Sequence, residues 1–277
     1  MTRQVWILGA PDPEMEAIEA LLRLCHQWVR YAAVEENGKT RRVKPHEAYR
    51  YSAELGDAPD GNGHVYVECA HVSGGERAGV VDHHNPGDPG FGKEPRGYFD
   101  ASSLGQVVRK LVDMGYGPFR AQDVAQWQPI AAADHCLAAA YRGECPGVNP
   151  QRLMQWRAES RAKFQNADPE EILRRIQTAY HAISAAPTVE LAPAMFAFDV
   201  RGQRISELPE AAARWGFNVL ADSPEVTNGR VKVNFFGDER SCVAFQTIWA
   251  PQHGVEEVYG DPKRGLMGGW ANAAHNI

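Results

Sequence analysis

The chain has 277 residues, 44% of them hydrophobic, with a formal net charge of −6. That length exceeds a usual single domain and the apolar fraction suffices for real cores, so a folded, two-part protein is expected. The acidic balance argues against a duplex-binding surface, since affinity for duplex nucleic acid comes mainly from Lys and Arg neutralising phosphates. No apolar run is long enough to span a bilayer and none near the start resembles a signal-peptide core, so a cytoplasmic protein without membrane attachment is expected. The five cysteines, Cys25, Cys69, Cys136, Cys145 and Cys242, are scattered and never form a C-x-x-C pair, which indicates neither a disulfide framework nor a zinc knuckle.

In chain order, residues 4–9 read as a strand ending at Gly9. Residues 14–31 follow with helical periodicity, Ile18, Leu21, Leu22, Cys25 and Val29 falling on one face. The basic run Lys39-Thr40-Arg41-Arg42-Val43-Lys44 reads as a solvated face, as does Arg174-Arg175. Residues 56–63 carry turn chemistry before a second strand at 64–69, and a third strand spans 79–81. A helix is expected over 102–114, and 130–135 reads as a small-residue strand or a helix start. Residues 149–184 are helical, with Asp168 and Pro169 as N-cap and first residue of a helix, and a boundary falls near Ala186-Pro187. Beyond it the expectations are a strand at 194–200, a helix at 209–215, strands at 219–221 and 230–236, and an Asn228-Gly229 turn between those last two. The pattern is α/β: a parallel-sheet N-terminal domain (1–148), a helical linker (149–187) and a smaller α/β C-terminal domain (188–277).

Four segments place acids or histidines just after an expected strand or at a helix start: Asp12, Glu14 and Glu16; Glu68; Asp82, His83 and His84; Asp134 and His135. In a parallel sheet the strand exits face one crevice, so these groups can meet although they are far apart in sequence. Clustered carboxylates repel one another unless cations neutralise them, and mixed carboxylate and imidazole ligation suits Mn²⁺, Fe²⁺ or Zn²⁺ better than Ca²⁺. A metal site of one or two divalent ions is therefore expected.

The triplet Asp82-His83-His84 at a strand exit resembles the signature of the DHH phosphoesterases, which open with a strand followed by Gly-His-x-x-Pro-Asp-x-Asp-x-Ile. This chain has Gly9-Ala10-Pro11-Asp12-Pro13-Glu14-Met15-Glu16-Ala17-Ile18, keeping the charge of both acids but replacing the family His by Ala10 and each Asp by Glu. Glu68 again stands where the family has Asp, and Asp134 matches its later single acid. The residues 230–235 and Gly265-Leu266-Met267-Gly268-Gly269-Trp270 occupy the relative places of the family's DHHA1 substrate domain, without its Gly-Gly-Gly-His form. The resemblance implies metal-dependent hydrolysis of a small phosphorylated molecule, a nucleotide or short oligonucleotide, with Mn²⁺ the expected ion. It implies Glu14, Glu16, Glu68, His83 and Asp134 as metal ligands, His84 and Asp82 as catalytic residues, and Arg264, Gly268 and Gly269 as substrate contacts. A homodimer is left open. Because Ala10 offers no ligand, either His135, His71 or Asp12 compensates, or a single ion binds, or the fold has become a catalytically inactive nucleotide-binding or regulatory protein.

Overall fold

The computed structural model describes residues 3–59, 63–73, 79–227 and 229–272, and forms two compact units, Met1–Lys93 with Gly97–His135 and Glu94–Arg96 with Cys136–Ile277. Asp60, Gly61 and Asn62 of the expected turn at 56–63, and Asn228 of the expected Asn-Gly turn, lie outside the described residues. The α/β class read from the sequence holds.

In the first unit β1 (Val5–Leu8) lies between parallel neighbours β2 (Trp28–Glu36) and β5 (Val65–Val67), and β6 (Gly79–Val81) pairs parallel to β5. The antiparallel strands β3 (Lys39–Arg42) and β4 (Ala53–Leu55) both pair with β2. The sheet is covered on both faces, as the continuous apolar strands require. Trp6 and Leu8 pack with Met15, Ile18 and Leu22 of α1 (Pro13–Leu24) and with Leu104, Val107 and Leu111 of a later helix. Ile7, which alternates to the opposite face, packs with Ala32, Val43, Ala48 and Tyr51.

The helix expected over 14–31 ends early. Its last turn closes with His26 N–H bonded to the Arg23 carbonyl at 3.0 Å and Gln27 N–H to the Leu22 carbonyl at 2.9 Å, a Schellman stop with His26 at φ 51°. Val29 therefore belongs to β2, whose β-branched and aromatic residues suit a pleated, half-buried surface. The basic run also differs from expectation. Arg41 pairs with Glu36 and Glu47 near the surface, but Arg42 donates to the Gly9 carbonyl at 2.9 Å and lies over the Tyr31 ring.

The short helix α2 (Tyr98–Ala101) leads into α3 (Ser103–Asp113), capped by the Ser102 hydroxyl on Gly105 N–H. The segment 130–135 is neither strand nor helix start; it lies inside α4 (Ala121–Tyr141), a helical stretch broken at Cys136 by φ −156°, ψ 58°.

The second unit contains α5 (Pro150–Gln165) and α6 (Pro169–Ala185), the latter capped by Asp168 as expected, and a six-stranded sheet in the order β11-β12-β10-β9-β8-β7. Its strands are β7 (Thr188–Ala192), β8 (Met195–Asp199), β9 (Val219–Thr227), β10 (Arg230–Phe236), β11 (Glu256–Asp261) and β12 (Leu266–Asn272), paired antiparallel except β8 with β9. The helix α7 (Leu208–Trp215) is bound to α5 by buried acids: Arg157 donates twice to Glu210 Oε2, at 2.7 and 2.9 Å, and Arg161 pairs with Glu207. Arg174 and Arg175 pair with Glu171 on the solvated face of α6.

Candidate metal centre

The parallel arrangement of β1, β5 and β6 brings three chain exits side by side at their carboxyl ends, where α/β sheets present their crevice. Backbone bonds hold the exits in register: Gly9 N–H to the Val67 carbonyl at 2.9 Å, and Glu68 N–H to the Val81 carbonyl at 3.0 Å. Gly9 has to be small, because a Cβ there would sit 2.4 Å from the Glu68 carbonyl oxygen. Glu68 itself adopts φ 50°, a left-handed conformation that costs a non-glycine residue on the order of 1 kcal/mol or more.

After β1, Asp12 caps α1 by accepting from Met15 N–H at 2.7 Å, and Glu14 follows in the first turn with Oε1 accepting from Leu104 N–H at 3.1 Å. After β6, Asp82 is held by a buried amide. Gln106 Nε2 donates to its carbonyl at 2.9 Å, and Gln106 Oε1 accepts from its N–H at 3.3 Å. Asp134 and His135 come from α4, just before its break.

Glu68, His83, His84 and Asp134 each bring one potential ligand atom to within 4.8 Å of all the others. His83, fully buried, has Nε2 2.8 Å from Asp134 Oδ2 and 3.5 Å from Glu68 Oε1. His84 Nδ1 stands 3.0 Å from Asp82 Oδ1, so it carries the proton that the carboxylate accepts. Tyr49, with no motif to announce it, donates its hydroxyl to Asp82 at 3.0 to 3.1 Å. Burial alone would raise Asp82, but hydrogen bonds from His84 and Tyr49 outweigh it and hold the carboxyl below its usual range.

The neighbouring acids move the other way. Burial, then the charges of Glu68 and Asp134, push the Asp12 carboxyl up to about 8. Glu14 is raised well above its ordinary range by burial and by Asp134, Glu68 and Asp12. Among the described residues, Glu14 Oε2 and Glu68 Oε1 are buried carboxylate oxygens with no hydrogen-bond partner. Buried anionic oxygens without hydrogen bonds are costly, and divalent cations relieve that cost. Carboxylate oxygens with imidazole nitrogens are a donor set for Mn²⁺, Fe²⁺ or Zn²⁺. The residues fit a divalent metal.

A pH dependence follows. Asp12 titrates near 3.8 when unperturbed and near 8 when folded, so between those values the metal-free folded state holds a proton that the unfolded chain has lost. Stability is then fully present below about pH 4 and falls as the pH rises through about 8, by up to about 1.4 kcal/mol per pH unit for each such group. The thermal midpoint of chelator-treated protein should drop by several degrees between pH 5 and pH 8, and Mn²⁺ should reverse the drop while releasing protons in calorimetry. A flat pH profile without metal would contradict the electrostatics described.

No family model matches the chain, and no curated protein does. Among solved structures it is similar to the pGpG-specific phosphodiesterase PggH from Vibrio cholerae, at 11% identity, a TM-score of 0.39, and coverage of 99% of this chain and 94% of that one.

Of the metal ligands expected from the sequence, Glu68, His83 and Asp134 come together, and Glu14 lies close enough for its charge to couple to theirs. Glu16 is exposed on α1 and outside the four-residue cluster. The structure adds His84 to that cluster and Tyr49 and Gln106 to its support. Of the three compensating candidates, Asp12 and His135 lie beside the cluster, whereas His71 bonds to Ser73 and packs edge-on against Tyr51. Arg264, Gly268 and Gly269 belong to the second unit. Gly268 and Gly269 are ladder positions of β12 opposite Asn234 and Val233, and added side chains there would strike Tyr259 and Val255.

Proposed function

We propose that this protein is a metal-dependent phosphoesterase acting on a small phosphorylated substrate such as a nucleotide or short oligonucleotide. The observation that carries the reading is the convergence of Glu68, His83, His84 and Asp134 at the carboxyl ends of parallel strands, where, among the described residues, Glu14 Oε2 and Glu68 Oε1 are buried without hydrogen bonds. The resemblance of Asp82-His83-His84, and of the Gly9 to Ile18 segment, to the DHH phosphoesterases gives the reaction class. Divalent ions bound there would supply Lewis acidity, neutralising phosphoryl charge and making water a better nucleophile at neutral pH.

Glu68, His83 and Asp134 would hold the metal, with Glu14 and Asp12 as the adjoining acids. Asp82 fixes the His84 tautomer and ring angle, and Tyr49 fixes Asp82, so His84 can orient a phosphate or move a proton at Nε2. With 33% of its side chain exposed, His84 is reachable by a substrate while His83 is not.

The test is hydrolysis of a generic phosphodiester, linear dinucleotides and pyrophosphate by protein stripped with chelator and then reloaded with Mn²⁺. Activity that disappears with chelation and returns with the ion is the expected result. A second reading, nucleotide binding without turnover, is favoured by Ala10 and by the exposed position of Glu16. Tight binding of dinucleotides with no product in any metal would establish it instead.

A further inference from the structure

We infer that His135 is a positioning residue for the metal site: it sets the tautomer of His83 and does not itself ligate. The inference rests on the metal reading above and assigns one residue's part in it.

His83 and His135 approach through their Nδ1 atoms at 2.9 Å, both buried, with ring planes 23° apart. The other nitrogen of His135, Nε2, lies 3.4 Å from the Lys93 carbonyl oxygen. A carbonyl only accepts, so the hydrogen of a neutral His135 sits on Nε2 and its Nδ1 is a bare acceptor. The hydrogen in the Nδ1 to Nδ1 bond must then come from His83. An imidazole that ligates a metal is neutral and carries one N–H, so with an ion bound His83 Nε2 presents a lone pair. Nε2 lies 2.8 Å from Asp134 Oδ2 and 3.5 Å from Glu68 Oε1, so an ion held there would meet three acceptor atoms. A cation among them satisfies such an arrangement. Asp134 and His135, consecutive in α4, thus address the two nitrogens of a single imidazole, one beside the ligand atom and the other fixing which atom it is. The break at Cys136 ends the regular helix directly after the pair.

In this role an acceptor in place of His135 Nδ1 suffices, whereas a direct ligand would need the imidazole itself. Calorimetry with Mn²⁺ is the first readout. His135→Phe should bind about 10- to 100-fold more weakly than wild type, and His135→Asn, which restores an acceptor oxygen, should bind within about threefold of it. The second readout needs no variant. In ¹⁵N-histidine-labelled wild-type protein loaded with ¹¹³Cd²⁺, a metal to nitrogen coupling is expected at His83 Nε2 and none at His135, whose Nε2 should keep its proton. Coupling at His135, or equal loss of affinity in the Phe and Asn variants with their metal-free thermal midpoints unchanged, overturns the inference. A His135→Phe protein that binds Mn²⁺ as tightly as wild type overturns it too and leaves the metal reading standing. A wild-type protein that takes up neither ion overturns both.

Discussion

His83→Ala is expected to bring hydrolysis down to background and to weaken Mn²⁺ binding by at least about 100-fold. His83 is the point where the site is tied together. Its Nε2 faces Asp134 and Glu68, its Nδ1 bonds to His135, and its backbone N–H donates to Asp82 Oδ1 at 2.7 Å. Alanine keeps the backbone bond and removes everything else, leaving Glu68 and Asp134 without the nitrogen that completes their donor set. The side chain is fully buried, so the truncation also leaves a hole, and metal-free stability should fall by about 1–3 kcal/mol. These two effects separate in one experiment. Unfolding is measured with and without saturating Mn²⁺: wild type should gain stability from the ion and His83→Ala should gain almost none. An alanine variant that is still stabilised by Mn²⁺ as much as wild type would remove His83 from the ligand set.

The largest loss of stability is expected in the second unit, at Glu210→Ala. Glu210 is 1% exposed, accepts both guanidinium bonds of Arg157 and takes the Tyr141 hydroxyl on its other oxygen. Removing one partner of a buried pair leaves a charge in a poorly solvated place, which costs about 3–5 kcal/mol. Glu210→Gln keeps the shape and one acceptor and should cost less. The control is the double variant Arg157→Met with Glu210→Leu, which removes both charges and should recover most of the loss, since apolar replacements of buried pairs are often neutral. Urea unfolding followed by far-UV circular dichroism reads all three. A Glu210→Ala protein within about 1 kcal/mol of wild type would mean that the pair is more solvated than its burial implies.

How far the amino-acid sequence reveals the fold depends on the physics of each segment. The strands at 5–8, 65–67 and 79–81 announce themselves as short continuous apolar runs because both faces of their sheet are covered. The start of α6 is legible for a local reason: Asp168 and Pro169 satisfy or remove amides that a helix start leaves unbonded. The end of α1 is not. Val29 falls on the helical period by coincidence, and the stop is made by a histidine in a left-handed conformation, which carries no sequence signal comparable to glycine. Arg42 looks like part of a solvated basic run and is instead committed to the Gly9 carbonyl and the Tyr31 ring, contacts made by residues distant in the chain.

The acids and histidines at strand exits are readable because in parallel sheets the position of a residue just past the strand is itself a spatial coordinate. Three chain exits, and the triplet Asp82-His83-His84, follow from that rule alone. Which of those residues meet does not, since it depends on angles that no local pattern encodes. With α1 beginning at Pro13, Glu14 and Glu16 are two helical positions apart, about 200° around the axis, so one is buried beside the cluster and the other exposed. Asp134 and His135 reach the site from the interior of a broken helix, and Tyr49 from a 3₁₀ helix (Pro45–Arg50) after β3, because packing brings those backbones to the mouth of the sheet. Local patterning settles what a short segment becomes; a donor set assembled from four segments is settled only by the long-range packing that aims them at one point.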